Sequence, residues 1–264
     1  MTDSDYVFSG SEWFKLSDGC MHLRNIENVL PCLCGAHPFP HKPVSIKKEG
    51  GIKKDYLLCG PPRAGSTVVW QVSNEIHPNL FLRTHGFSDS CPLLFDFKGI
   101  ICTVRHPFDI AASMFRVKEY DVEVDLHNSL LDMSKFAVLD HIIKSFGDVV
   151  RAVRPDLKLI FLRYEDFFNK DRERVVAISK FLEKELVDSE IDRISQMFNV
   201  QKNIERSSLL SDFTDVDENS KLHGDHIGSL LGSPGQGSHL DESFKKSIYE
   251  THRWFFDFFR YEYY

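Results

Sequence analysis

The sequence predicts an α/β fold in three layers, a parallel sheet flanked by helices on both faces. Three observations predict it. Short apolar runs rich in Val, Ile and Leu fall at 56–59, 80–83, 99–104 and 157–162, each the length of a strand. Stretches with helical spacing of apolar residues lie between and after them, at about 65–77, 107–118, 128–152, 171–184 and 188–198. The runs are nearly continuous rather than alternating, as strands covered on both faces are, and strands separated by helices call for parallel pairing.

Taken in order, residues 1–50 show no sustained periodicity and read as an irregular N-terminal lid or flap. Within them stands Cys32-x-Cys34-x2-His37-x3-His41. A zinc site is the alternative there, but Cys-x-Cys is unlike the usual Cys-x2-Cys opening. The first strand, 56–59, runs into Gly60-Pro-Pro-Arg63-Ala64-Gly65-Ser66-Thr67 and then into the first helix. Strand, glycine turn and helix N-terminus together form a phosphate cradle, which makes the sheet P-loop-type. The glycine spacing is that of a Walker A loop, yet Ser66 stands at the lysine position and the cation has moved to Arg63.

The second strand ends in Arg83-Thr84-His85 and the third in Arg105-His106-Pro107, with Pro107 suited to a first helical turn. The fourth leads into Tyr164-Glu165-Asp166. Ligands of open parallel sheets bind beyond the carboxyl ends of the strands. Arg63, His85, Arg105 and Tyr164 are therefore expected on one rim. Residues 206–240 are polar and rich in Gly, Ser and Pro, and read as a mobile loop. Residues 241–258 return to a helical pattern, with Phe244, Ile248, Tyr249, His252, Phe255 and Phe256 on or near one face, and are expected to pack back on the domain. No repeat or linker divides the 264 residues, so one domain spanning 1–264 is expected.

Composition narrows the class. A net charge of −7 argues against a general nucleic-acid binder, so an anionic ligand must be drawn by a local basic cluster. Two of the six cysteines, Cys59 and Cys102, sit in apolar runs and read as small buried hydrophobes. The first residues are polar and acidic, and no apolar run approaches the ~18–20 residues of a membrane span. The expectation is a soluble cytoplasmic protein with no membrane partner.

Four elements carry the chemistry. The loop offers backbone N–H groups of residues 64–67, the Arg63 guanidinium and the Ser66 and Thr67 hydroxyls, all donors for an oxyanion. Arg105 and Ser113, eight residues apart across a strand end and two helical turns, could grip one phosphate. His85, just past a strand end, is placed for general-base work. Tyr164 can donate to a ligand. Each has a plainer alternative: a surface arginine on a turn, Asp109 as a helix-start acid, a solvated histidine, a strand-to-helix corner.

In this order the four resemble the sulfotransferase family that uses 3′-phosphoadenosine 5′-phosphosulfate (PAPS), over about residues 55–200. Pro62-Arg63-Ala64-Gly65-Ser66-Thr67 is similar to the family's 5′-phosphosulfate loop, P-[KR]-[SA]-G-[ST]-T. Arg105 to Ser113 matches its 3′-phosphate element, R-x-P-x-D-x-x-x-S. Arg83-Thr84-His85 stands for the K-T-H segment and Tyr164-Glu165-Asp166 for the YED segment. An arginine in the loop resembles the tyrosylprotein branch rather than most cytosolic members.

Val68 departs from the tryptophan that many cytosolic members place on adenine, and Phe198 is the aromatic left for that contact. The late R-K-G segment has no clean counterpart: 232–237 lies in the right region without the arginine, and Lys221 is an alternative cation. The resemblance implies sulfuryl transfer from PAPS to a hydroxyl or amine of a small-molecule acceptor, leaving adenosine 3′,5′-bisphosphate. His85 would serve as base and Arg63 as the charge at the reacting centre. It implies no metal and is compatible with a homodimer. The competing readings are a Mg²⁺-ATP-dependent P-loop small-molecule kinase and a non-catalytic nucleotide-binding homologue.

Overall fold

The computed structural model describes residues 55–83, 85, 97–117, 120–145, 147–148, 151, 155–217, 219–224 and 232–264, together with the backbone of strands at 6–9, 12–17 and 20–24. Those first strands, β1 (Tyr6–Ser9), β2 (Glu12–Ser17) and β3 (Cys20–Arg24), form an antiparallel meander, with Phe14 facing Val7 and Leu23 in register. Within the segment 1–50, expected to be irregular, residues 6–9, 12–17 and 20–24 are thus extended and paired. The Cys32, Cys34, His37, His41 set lies outside the described residues.

The main sheet is built from β4 (Tyr56–Cys59), β5 (Phe81–Arg83), β6 (Gly99–Val104) and β7 (Lys158–Arg163), in the order β5-β4-β6-β7. All three pairings are parallel, with Leu57 opposite Ile100, Cys59 opposite Cys102 and Ile101 opposite Ile160. Each strand lies within one residue of its expected position.

Successive side chains of a strand point to opposite faces, and the core divides accordingly. Leu57, Cys59, Ile100, Cys102 and Val104 enter one buried cluster. It is completed by α2 (Pro107–Val117), α3 (Val122–Ser145), α8 (Glu242–Thr251) and α9 (Arg253–Phe259). Tyr56, Leu58, Ile101 and Leu162 enter the other, against α1 (Ser66–Ile76), α5 (Asp171–Phe181) and α6 (Asp188–Met197). The sheet is therefore covered by helices on both faces. Leu57, Leu58, Ile100 and Ile101 are wholly buried, each worth about 1.5–3 kcal/mol of hydrophobic stabilisation.

Several boundaries moved for local reasons. Helix α3 begins six residues before the expected 128, because Val122, Leu126 and Leu130 already carry the buried stripe and Asp121 accepts from the Val124 and Asp125 amides. The fourth strand turns at once into α4 (Tyr164–Phe167). A helix not read from the sequence, α7 (Val200–Ser207), is capped by Asn199, whose Oδ1 accepts from the Lys202 amide at 2.8 Å. The stretch 206–240 holds a short antiparallel pair, β8 (Val216–Asp217) with β9 (Leu222–His223), and a 3₁₀ turn at Gln236–His239. The expected last helix is broken at His252, and Ile248, Phe255 and Phe256 return to the core. Among the described residues no helix is long and apolar enough to cross a membrane.

Candidate active site

The carboxyl ends of β4, β5, β6 and β7 open on one cleft of about 290 Å³. Its walls include Arg63, Ala64, Gly65, Ser66, Thr67, His85, Arg105, Ser113, Tyr164 and Phe198, so every site residue expected from the sequence borders the same space. Lys221 does not: it occupies the β8–β9 turn.

The loop is built around Gly65, the residue before α1, which has φ +83°. A Cβ there would lie 2.6 Å from Cδ2 of Tyr164, so the ring packs directly on the glycine. No side chain caps α1, and the first-turn amides of Ser66 and Thr67 have no intrahelical acceptor. The Ala64 amide is different: it closes the turn on the Pro61 carbonyl at 3.3 Å, so the donor set at the helix start is narrower than the sequence implied. Arg63 takes a left-handed conformation, φ +66°, at a backbone cost of about 1–2 kcal/mol. Its Nε donates to Ser113 Oγ at 2.9 Å, which ties the loop to α2. Burial, then the charge of Arg116, lowers its pKa to about 10, so it remains cationic at neutral pH.

Arg83 reaches across from β5. Its Nη2 donates to Thr67 Oγ1 at 2.9 Å and Ser66 Oγ at 3.2 Å. Burial lowers its pKa to about 10 as well. Thr84 lies outside the described residues. His85 Nδ1 faces the Gly60 carbonyl at 3.2 Å, which fixes the proton on Nδ1 and leaves the Nε2 lone pair for chemistry. One side of this residue is open to solvent, while the remainder is packed among protein atoms. That packing, followed by the charge of Arg83, lowers its pKa to about 4. Solvent on the open side tempers the shift, and its direction is what matters: the ring is neutral at pH 7.

Arg105 is buried at the end of β6. Its Nη1 donates to the Arg63 carbonyl at 3.3 Å, and its Nη2 to the Gly232 and Ser233 carbonyls at 3.1 and 3.2 Å. The guanidinium lies 4.4 Å over the Tyr164 ring. Next to it, His106 is a structural pin. Its Nδ1 accepts from the Phe108 amide, and its Nε2 donates to the Glu262 carbonyl at 2.8 Å. Glu165 joins the two corners, accepting from the His106 amide at 2.8 Å and the Tyr261 hydroxyl at 2.9 Å. Phe198, at the end of α6, lines the far end, and its carbonyl accepts from Arg174 Nη2.

Six arginines border the cleft: Arg63, Arg83, Arg105, Arg116, Arg163 and Arg174. No carboxylate is among the described residues that line it. In a chain of net charge −7 this is a concentrated positive field. The buried Nε atoms of Arg83, Arg105 and Arg174 have no acceptor among the described residues, and buried donors are ordinarily satisfied. Six guanidiniums, with no carboxylate among the described residues beside them, fit an anionic ligand.

Sequence reasoning missed several lining residues. Arg116 stands three residues after Ser113 on the same helix, a spacing that could have revealed it. Phe213 and His223, whose rings stack at 4.6 Å, come from the 206–240 stretch and carried no local signal. Tyr120 also borders the cleft, whereas Phe81 is core and Phe115 packs outside on Phe244.

Comparison with known proteins agrees with this geometry. A family model described as the sulfotransferase domain matches residues 71–223, more than half of the chain, beginning just after the glycine loop. An amine sulfotransferase of Oryctolagus cuniculus is 31% identical over 99 residues, 36% of this chain and 33% of that protein. The chain thus matches about a third of the length of that curated relative. Two crystal structures share the fold at 16% identity. Mouse sulfotransferase SULT7A1 complexed with PAP has a TM-score of 0.51 over 79% of this chain and 85% of its own. Retinol dehydratase in complex with androsterone and inactive cofactor PAP has a TM-score of 0.50 over 93% and 89%. By the extent of the family match, and with the loop and strand-end motifs gathered on one cleft, the chain belongs to the sulfotransferase family.

Proposed function

We propose that this chain, as one sulfotransferase-like domain, binds PAPS in the arginine-lined cleft and transfers its sulfuryl group to a hydroxyl or amine of a small-molecule acceptor. The observation that carries the reading is the convergence of four motifs, far apart in sequence, on one cleft bordered by six arginines and by no carboxylate among the described residues. Family membership supports it. So do the PAP complexes of the two similar folds, and the amine sulfotransferase leaves an amine acceptor in scope beside a hydroxyl.

The amides of Ser66 and Thr67, their hydroxyls, the Gly65 turn and Arg63 would hold the 5′-phosphosulfate end. The Ala64 side belongs to this cradle through its place in the turn rather than through its amide. Arg105 and Ser113 would hold the 3′-phosphate, Tyr164 would border the nucleotide, and Phe198 would pack on adenine. PAPS supplies an activated sulfuryl group whose departure leaves adenosine 3′,5′-bisphosphate. His85 would take the acceptor's proton on Nε2, since Nδ1–H is held by the Gly60 carbonyl and the ring is neutral. Arg63, fixed by Ser113, would place a permanent charge where negative charge develops, without reorganisation during the reaction.

Calorimetry tests the reading. Adenosine 3′,5′-bisphosphate is expected to bind tightly without Mg²⁺, and ATP with Mg²⁺ weakly. Preference for Mg²⁺-ATP would replace the sulfotransferase reading with the kinase.

A further inference from the structure

Asp109 does more than start a helix. It is wholly buried, and its carboxylate gathers three donors from distant parts of the chain. Oδ2 accepts from the Gly235 amide at 2.9 Å. Oδ1 accepts from the Gly237 amide at 2.8 Å and from the Tyr264 hydroxyl at 2.7 Å. The Arg105 guanidinium stands 3.7 Å from Oδ2. The same short segment that hangs on Asp109 turns the Gly232 and Ser233 carbonyls onto Arg105 Nη2. Arg105, the segment and Asp109 thus form a closed ring, joined through the segment by charge-assisted hydrogen bonds and directly by the 3.7 Å ion pair between Arg105 and Asp109.

The Tyr264 side chain closes that ring from outside the cleft. Its ring lies 4.3 Å from the His106 ring, and its carbonyl accepts from Lys245 Nζ at 3.0 Å, so the hydroxyl is held on the carboxylate. Neither Asp109 nor Tyr264 is among the residues lining the cleft. Any effect on a ligand therefore passes through Arg105 and the 232–237 segment.

We infer that Asp109 and Tyr264 are positioning residues for recognition of the nucleotide's 3′-phosphate. The carboxylate, oriented by the tyrosine hydroxyl, anchors the 232–237 segment, whose carbonyls aim the Arg105 guanidinium. The inference rests on the reading that the cleft holds a 3′-phosphorylated nucleotide. It also explains how a segment without the family's late arginine still serves that end of the site, by orienting an arginine from another strand.

The test measures affinities of the full chain for adenosine 3′,5′-bisphosphate and adenosine 5′-monophosphate by calorimetry. Wild type is expected to prefer the bisphosphate. Tyr264→Phe keeps the ring and removes only the donor. It is expected to weaken the bisphosphate about three- to tenfold, the scale of one hydrogen bond to a charged group acting indirectly, and to change the monophosphate less than about twofold. Asp109→Asn is expected to narrow the preference further; if that variant does not fold, Tyr264→Phe decides alone. A preference in Tyr264→Phe equal to wild type, or an equal loss for both ligands, overturns the inference and leaves the proposed function standing. Absence of any preference in wild type overturns both.

Discussion

Replacing Gly65 by alanine would strike the loop where backbone conformation and packing coincide. At φ +83° an alanine costs about 1–2 kcal/mol relative to glycine. Its Cβ would also stand 2.6 Å from Tyr164 Cδ2, a distance that requires the ring to move. The ring is confined, with the Arg105 guanidinium 4.4 Å over it and the Phe168 ring 5.8 Å away. Displacing it adds overpacking strain of about 1–3 kcal/mol and loosens a cation–π contact of about 0.5–2 kcal/mol. The combined loss is about 2.5–7 kcal/mol, which for a chain of this size lowers Tm by roughly 5–28 °C.

A control isolates the contact. Gly235 has φ +88°, but a Cβ there would meet nothing within 4 Å. Gly235→Ala is expected to show only the backbone cost, about 1–2 kcal/mol. Thermal unfolding of both variants reads the difference, with calorimetry of adenosine 3′,5′-bisphosphate on the Gly65 variant beside wild type, since the Gly235 amide belongs to the segment held by Asp109. If the Gly65 variant melts no lower than the Gly235 variant and binds the nucleotide like wild type, the packing of Tyr164 on the loop is wrong.

Two further outcomes are expected. The acid limb of the kcat/KM profile should lie below ~6.5, the value of an unperturbed histidine, because burial and then the charge of Arg83 lower the His85 pKa and only the neutral ring accepts a proton; an acid limb at or above that value would contradict that environment. Arg105→Ala should weaken adenosine 3′,5′-bisphosphate by at least about tenfold more than adenosine 5′-monophosphate, as loss of a charged hydrogen bond predicts; equal losses by calorimetry would remove Arg105 from the 3′-phosphate.

Much of this was legible in the chain. Four apolar runs gave four parallel strands, because strands buried on both faces have a composition that no surface segment shares. The loop, the strand-end arginine and histidine and the Tyr164 corner were legible because parallel topology sends every strand end to one rim. What stayed hidden depends on contacts between remote segments. Asp109 read as a helix-start acid, since nothing local announces partners 126 and 155 residues away. Arg83 read as part of a catalytic triplet, and only the fold brings it onto the Ser66 and Thr67 hydroxyls. The Ala64 amide looked like a ligand donor until the Pro61 carbonyl claimed it. Residues 200–207 were hidden for a different reason. Their helix is short and mostly polar, and its evidence lay in the Asn199 cap rather than in an apolar stripe.

Sulfuryl transfer in this cleft with His85 as the base is the proposal on which the rest depends. The most direct measurement incubates the protein with sulfur-labelled PAPS and a panel of small hydroxyl and amine acceptors, beside His85→Ala. Labelled product is expected with wild type. The variant is expected to lose at least about a hundredfold in turnover, the scale of general-base catalysis, and to keep its affinity for adenosine 3′,5′-bisphosphate. Transfer by His85→Ala at the wild-type rate would contradict the role of His85, and a wild-type protein that binds the nucleotide but labels no acceptor would contradict the activity itself.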